Sequence, residues 1–108
     1  MKVILKGIPA SPGIAKGKVK IILNPSECKN MKRGNVLVTE MTNPKFLLAI
    51  EKAKAIVTDI GGLLCHAAII SREMKIPCVV NTKNATKVLK DGQMIIVNGT
   101  EGNVYVQE

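Results

Sequence analysis

The sequence predicts a small α/β or α+β domain built around a mixed sheet. Three observations carry this. Short apolar or period-two runs recur along the chain. Two helix-start patterns fall between them, both in its middle. The core has to be aliphatic, because 46% of the 108 residues are hydrophobic while there is one Phe, one Tyr and no Trp. This length fits one compact domain, residues 1–108, and no linker, repeat or low-complexity segment divides it.

The first expected strand is GKVKIIL at 17–23, where Lys16, Lys18 and Lys20 alternate with Gly17, Val19 and Ile21. Such a lysine stripe fits a solvated face that also protects a sheet edge. Asn24-Pro25-Ser26 ends the run. Gly34-Asn35 opens a second strand, VLVTE at 36–40. In Thr42-Asn43-Pro44, Asn43 suits the helix cap and Pro44 the first helical position. That helix should cover about 44–54, with Phe46, Leu47 and Ile50 inward and Lys45, Lys52 and Lys54 outward. AIVTDI at 55–60 reads as a short apolar strand running into Gly61-Gly62. A second helix follows, ending near Lys75 and stopped by Pro77. PCVV at 77–80 is a strand, 83–90 a brief helical piece, and Asp91-Gly92 a turn. MIIV at 94–97 and VYV at 104–106 are strands joined by NGTEGN.

Charge is distributed unevenly. Residues 1–54 carry eleven Lys/Arg and three acids, a net of +8, and residues 55–108 carry five of each. Nothing interleaves aromatics with the basic residues, so stacking on nucleic-acid bases is not expected. An anionic small molecule or an acidic protein surface suits the charge. No apolar stretch approaches the roughly 18 residues that span a bilayer, and no secretory h-region opens the chain. Cys28, Cys65 and Cys78 are odd in number and form no CxxC pair. Buried free thiols in a reducing, cytoplasmic compartment are expected for Cys28 and Cys78, Cys65 stays open because it adjoins His66, and a zinc site has few candidate ligands.

The chemistry concentrates at the strand–Gly-Gly–helix junction. Glycines let the backbone turn sharply, and the first helical turn presents N–H groups without intrahelical partners. Those groups and the helix dipole attract an anion by about 0.3–1 kcal/mol, up to about 2 kcal/mol when partly buried. His66, the only histidine, falls in or just before that turn. A neutral imidazole there has the free lone pair a nucleophile requires. Ala67 and Ala68 keep the helix thin beside it. On a helical wheel Arg72 lies about 120° from His66, which favours a structural ion pair over a phosphate clamp. Spacing alone leaves His66 open between a packing residue and a functional one. Thr42 and Thr58 end strands near the helix, where hydroxyls could face a phosphate or simply bond the strand ends.

The stretch TDIGGLLCHAAIISRE at 58–73 resembles the phosphohistidine motif of the phosphoenolpyruvate-utilising enzymes, which reads Gly-Gly-x-Thr-(Ser or Cys)-His-Ala-Ala-Ile-(Ile or Val)-(Ala or Ser)-Arg-Glu. GIPASPGIAKGKVKII at 7–22, VLVTEMTNPKF at 36–46 and DGQMIIVNGTEGNVY at 91–105 resemble the same family's opening, strand-to-helix and closing segments. Nearly the whole chain is covered, in order. The resemblance is to the phosphohistidine swivelling domain, most like the phosphoenolpyruvate synthase and pyruvate phosphate dikinase branch.

That resemblance implies a β/β/α domain with a mixed sheet and a few helices. His66 is implied as the phosphoryl carrier, acting through Nε2; Gly61, Gly62, Thr42 and Thr58, read from their place at the junction, are the candidates for shaping the site around it. It implies no cofactor in this domain, with magnesium and ATP on partner domains. Met1 followed directly by family-like sequence favours a small free-standing protein over an excised piece. The expected partners are separate nucleotide-binding and phosphoenolpyruvate- or pyruvate-binding chains or domains, and composition argues for no nucleic acid and no membrane. One position departs from the pattern: Leu64 stands where the family usually has Thr, and dikinases of this type are regulated by phosphorylation there. Leu64 has no hydroxyl, so no such regulation is expected. The competing reading is a non-catalytic regulatory or scaffolding relative that has lost transfer, which Leu64 favours and the intact Cys-His-Ala-Ala-Ile-Ile-Ser-Arg-Glu run opposes. A metal or thiol-redox role for Cys65–His66 ranks third, because two adjacent ligands cannot complete a site.

Overall fold

The computed structural model describes residues 2–107. Its strands are β1 (Val3–Lys6), β2 (Ile8–Ser11), β3 (Ile14–Ile21), β4 (Val36–Thr39), β5 (Ala55–Thr58), β6 (Cys78–Val80), β7 (Met94–Asn98) and β8 (Asn103–Val106). The α-helices are α1 (Leu47–Lys52), α2 (His66–Met74) and α3 (Ala85–Val88), and 3-10 turns cover Pro25–Asn30 and Pro44–Phe46.

Every residue of β4, β5 and β6 is buried. Strands apolar on both faces need cover on both faces, which is the situation of a parallel sheet inside an α/β domain. β3, β4, β5 and β6 do run parallel, and β2 closes their far edge antiparallel to β6. β7 alternates half-buried and buried residues, and it joins β1, β8 and β3 in an antiparallel ladder. The full order is β1-β8-β7-β3-β4-β5-β6-β2. β3 belongs to both halves: Ile14 to Lys18 pair with β7, and Val19 to Ile21 pair with β4.

Two cores follow from the alternation of side chains along β4–β6. Leu37, Ile56 and Val80 face Phe46, Ile50 and the alanines of α2. Val38, Val57 and Val79 face Ile95, Val97 and Val104 of the antiparallel half. The layers are helix, parallel sheet and antiparallel sheet, the β/β/α order implied by the resemblance. Each fully buried Val, Leu or Ile contributes about 1.5–3 kcal/mol of transfer free energy.

Four expectations are corrected. β3 is interior, flanked by β7 and β4, so its lysines do not guard an edge. Lys16 and Lys18 are exposed, and Lys20 lies 3.6 Å from Asp91. β1 and β2 were not expected; each has only four residues, and both lie at the outer edges, where Pro9 costs no ladder bond to a further strand. The Pro25–Asn30 turn was not expected either; Glu27 accepts from the Leu23 and Asn24 N–H groups and stabilises it. The expected helix over 44–54 is a 3-10 turn followed by α1. The inward residues Phe46, Ala49, Ile50 and Ala53 keep the i, i+3, i+4, i+7 spacing of one helical face, and Leu47, expected inward, lies off that face and is exposed.

Candidate functional site

Parallel strands in register end on one edge. β4 pairs with β5 from Val36–Ala55 to Thr39–Thr58. The ladder continues past both strands: the Asp59 N–H donates to the Thr39 carbonyl at 3.1 Å and the Ile60 N–H to the Glu40 carbonyl at 3.0 Å. The chain after β4 and the chain after β5 therefore leave the sheet side by side. Met41 and Thr42 come from the first, and Ile60, Gly61 and Cys65 from the second. With Ala67 they line a cavity of about 300 Å³ beside His66.

His66 is the first residue of α2, and extended Cys65 is its N-cap. The Cys65 N–H donates to the Gly62 carbonyl at 3.1 Å, closing a turn over 62–65. The first bond from the helix back across its cap is Ile69 N–H to the Cys65 carbonyl, 3.0 Å. The His66, Ala67 and Ala68 N–H groups have no bond among the described residues. Gly61 has φ +136°, and a Cβ there would sit 2.9 Å from Cys65 Sγ. Glycine both permits that backbone and keeps the turn close to the start of α2.

One side-chain bond orients the ring. Thr42 Oγ1 lies 2.8 Å from His66 Nδ1, and Thr42 is 4% exposed. Nδ1 is thereby engaged, while Nε2 has no partner among the described residues. Asn43 follows directly, accepts from the Lys45 N–H at 2.9 Å, and fixes the backbone that carries Thr42.

The other residues singled out in the sequence fall at different distances from this centre. Gly61 lines the cavity, and Gly62 supplies the carbonyl that closes the turn. Thr58 is fully buried, and its hydroxyl donates to the Ile60 carbonyl at 2.8 Å. It supports the loop from beneath and does not reach His66. Leu64 projects from the turn and is 85% exposed. Arg72 forms no ion pair among the described residues. Its guanidinium instead donates to the Ala10 carbonyl at 2.8 Å and the Leu63 carbonyl at 2.7 Å. The other side of the loop is fixed by Asp59, whose carboxylate accepts from the Thr86 N–H and hydroxyl.

All three cysteines are free. Burial pushes the Cys78 thiol up to about 12, and burial also raises Cys28. Among the described residues no three His, Cys, Asp or Glu side chains converge as metal ligands, and no helix is long and apolar enough to cross a membrane.

Comparison with known proteins adds to this geometry. Residues 31–102 match the family model described as the PEP-utilising enzyme, mobile domain. The chain belongs to that family. It is 56% identical over 104 residues to a probable phosphoenolpyruvate synthase of Archaeoglobus fulgidus, covering 96% of this chain and 14% of that one. It is 57% identical over 104 residues to phosphoenolpyruvate synthase of Pyrococcus furiosus, covering 96% of this chain and 13% of the other. An uncharacterised phosphotransferase of Bacillus subtilis, YvkC, is 50% identical over 100 residues, 93% of this chain and 12% of its own. The mobile domain here thus spans about one seventh or less of the length of these relatives, which are larger proteins. Among solved structures, an Enzyme I solution structure superposes with a TM-score of 0.64 at 32% identity, over 74% of this chain and 33% of that one. Aconitase X of Thermococcus kodakaraensis superposes with a TM-score of 0.64 over 96% of this chain and 98% of that one; its 18% identity speaks for the fold alone.

Sequence reasoning missed Met41 and Ile60 as cavity walls and Arg72 as a partner of backbone carbonyls. The signal for the first two was available. Met41 precedes Thr42, and Ile60 follows the strand that pairs with it, so parallel register would have joined them. Arg72 carried no such signal, because its acceptors are main-chain atoms that no side-chain pattern marks.

Proposed function

We propose that this chain is a phosphoryl carrier: His66 accepts a phosphoryl group and passes it between nucleotide-binding and phosphoenolpyruvate- or pyruvate-binding partners. The observation that carries the reading is the 2.8 Å contact between Thr42 Oγ1 and His66 Nδ1. With the Nδ1 proton donated to Thr42, the Nε2 lone pair is the free nucleophile. Nε2 attacks phosphorus and the P–N bond forms. The P–O bond to the donor breaks, and its electron pair leaves on the donor oxygen. The acceptor oxygen reverses these events. Nδ1 keeps its proton throughout, so Thr42 Oγ1 remains an acceptor for the more positive phosphorylated ring.

The unbonded N–H groups at the start of α2 supply donors for the phosphoryl oxygens, and the helix dipole adds about 0.3–1 kcal/mol for an anion there. ATP and its magnesium belong to the partner in this reading, while this chain supplies the imidazole, its orienting hydroxyl and the amide donors. Partners on separate chains or on further domains, and a cytoplasmic setting, complete it; three free thiols suit a reducing compartment.

The test uses the chain as it stands. It is incubated with labelled phosphoenolpyruvate, or labelled ATP and magnesium, and a phosphoenolpyruvate synthase deleted for its own mobile domain. An acid-labile, base-stable label on the wild type, absent from His66→Ala, is the expected result. A wild-type chain that stays unlabelled while an intact synthase is labelled in parallel overturns the reading.

A further inference from the structure

The loop between β5 and α2 is held very unequally along its length. At its start the main chain is pinned on both sides. Asp59 and Ile60 continue the ladder to Thr39 and Glu40. The Thr82 and Lys83 N–H groups donate to the Thr58 and Asp59 carbonyls at 3.1 and 2.8 Å, and Asp59 holds Thr86. Beyond Ile60 this support stops. Leu63 and Leu64 are 54% and 85% exposed. Two polar contacts hold the turn: the Cys65 N–H on the Gly62 carbonyl, which closes it internally, and the Arg72 guanidinium on the Leu63 carbonyl at 2.7 Å. Among the described residues, Arg72 is thus the one side chain from outside the turn that hydrogen-bonds its main chain.

The same guanidinium donates to the Ala10 carbonyl at 2.8 Å. Ala10 is buried in β2, which is paired to β6. Arg72 therefore spans from a rigid strand to an exposed turn, and it stands on the helix that begins with His66. A guanidinium presents several N–H groups in a rigid plane, so it can hold two carbonyls at a fixed separation. A lysine ammonium at the end of a flexible stem holds one of them as a point charge. Holding the Leu63 carbonyl fixes the plane of the Leu63–Leu64 peptide, and hence the direction of the Leu64 N–H that lies in it.

We propose that Arg72 is a positioning residue for phosphoryl transfer: it latches the Gly62–Cys65 turn so that the N–H groups of the turn and of the start of α2 stay aligned on a phosphoryl group at His66. The proposal rests on the carrier reading, and it places at Arg72 a role that does not involve touching the phosphoryl group. It also accounts for the absence of an acidic partner, since the side chain serves main-chain acceptors.

The experiment has two arms. The first needs no activity. Amide hydrogen exchange is compared in wild type, Arg72→Lys and Arg72→Gln. Exchange at Cys65, whose N–H is the bonded amide of the turn, should accelerate in both variants, more in Arg72→Gln, while amides in β4, β5 and the interior of α2 keep their protection. The second arm measures label uptake at His66 against partner concentration. The maximal rate should fall about 10- to 100-fold in Arg72→Gln, as for a displaced reacting geometry, with the half-saturating partner concentration unchanged. Arg72→Lys should recover part of that rate. Unchanged exchange in the turn, or exchange that rises throughout the domain, overturns the latch. Exchange that rises only in the turn while the uptake rate stays at the wild-type value overturns its role in transfer. A wild type that takes no label overturns the carrier reading instead and leaves the exchange arm to judge the latch.

Discussion

The two halves of the sheet are built from similar aliphatic strands, yet only one of them carries a site. In the parallel half, β4, β5 and β6 all end on the same edge, so the chain after each strand emerges beside the chain after its neighbour. Thr42, Gly61, Cys65 and His66 converge there without any of them being close in sequence to all the others. In the antiparallel half, β1, β8 and β7 alternate in direction, and consecutive connections leave from opposite ends. Short turns such as Asn98 to Gly102 close them tightly, with the Gly102 N–H bonded to the Asn98 carbonyl. Direction of chain, more than composition, separates the half that can gather loops from the half that braces them.

If the antiparallel half is a brace for the parallel one, matched damage should cost matched stability but different activity. Ile56 and Ile95 are both fully buried, in the helix-facing and sheet-facing cores respectively. Ile56→Ala and Ile95→Ala should each lower unfolding free energy by about 2–5 kcal/mol, read by urea denaturation. Label uptake per folded molecule should stay near wild type in Ile95→Ala. A loss of uptake larger than the loss of folded protein in that variant would break the comparison.

The seam between the halves is tested next. Gly99 follows β7 and lies against β2 and β6: a Cβ there would overlap the Ser11 carbonyl oxygen and sit 2.8 Å from the Cys78 nitrogen. Both are backbone atoms that cannot rotate away. Gly99→Ala should cost about 1–3 kcal/mol by overpacking. A wild-type melting temperature for this variant would mean that the seam is loose.

How much of this was legible beforehand follows from the same contrast. β4, β5 and β6 were readable as dense apolar runs, and the cap at Asn43 and the helix stop at Pro77 as local chemistry. The interior place of β3 was not, since a lysine stripe describes one face and says nothing of how many strands flank it. β1 and β2 were hidden because four-residue edge strands interrupted by Gly7 and Pro9 lack enough alternation to register. At the site, His66 and its glycines were visible in the motif. The Thr42 bond was a matter of register between distant segments, and the Arg72 bonds a matter of main-chain carbonyls.

Titration gives a third contrast. Cys78, in β6, has its thiol raised to about 12 by burial, from 9.0. The folded protein therefore holds that proton more tightly than the unfolded chain. Its contribution to stability is complete below about pH 9 and falls between pH 9 and 12, by up to about 1.4 kcal/mol per pH unit. Cys78→Ala should flatten the alkaline limb of the stability curve relative to wild type. Parallel limbs in the two proteins would remove Cys78 from the account.

Within the parallel half, Thr42 and Thr58 end neighbouring strands and differ in what their hydroxyls meet. Thr42→Val should cost only about 0.5–1.5 kcal/mol of stability, yet it frees the ring and should slow label uptake by more than its stability loss explains. Thr58→Val removes a buried donor to the Ile60 carbonyl at a similar cost in stability, and uptake per folded molecule should change less. Equal uptake losses in the two variants would mean that the imidazole bond has no special place.

The smallest effect is expected at Leu64. The resemblance made this residue conspicuous, because a threonine usually stands two positions before the histidine. In the structure its side chain is 85% exposed on the turn, and it is absent from the walls of the cavity beside His66. A side chain so placed contributes little to folding, so Leu64→Thr should shift stability by less than about 0.5 kcal/mol. The introduced hydroxyl would be as accessible as the leucine it replaces. Label uptake at His66 should survive the change in either direction, because the amide donors near His66 are main-chain groups. If Leu64→Thr multiplies uptake while leaving amide exchange in the turn untouched, the hydroxyl itself contacts the phosphoryl group and the main-chain donors are insufficient. If uptake is equal in the two proteins, the leucine is a departure in sequence without a consequence at the site.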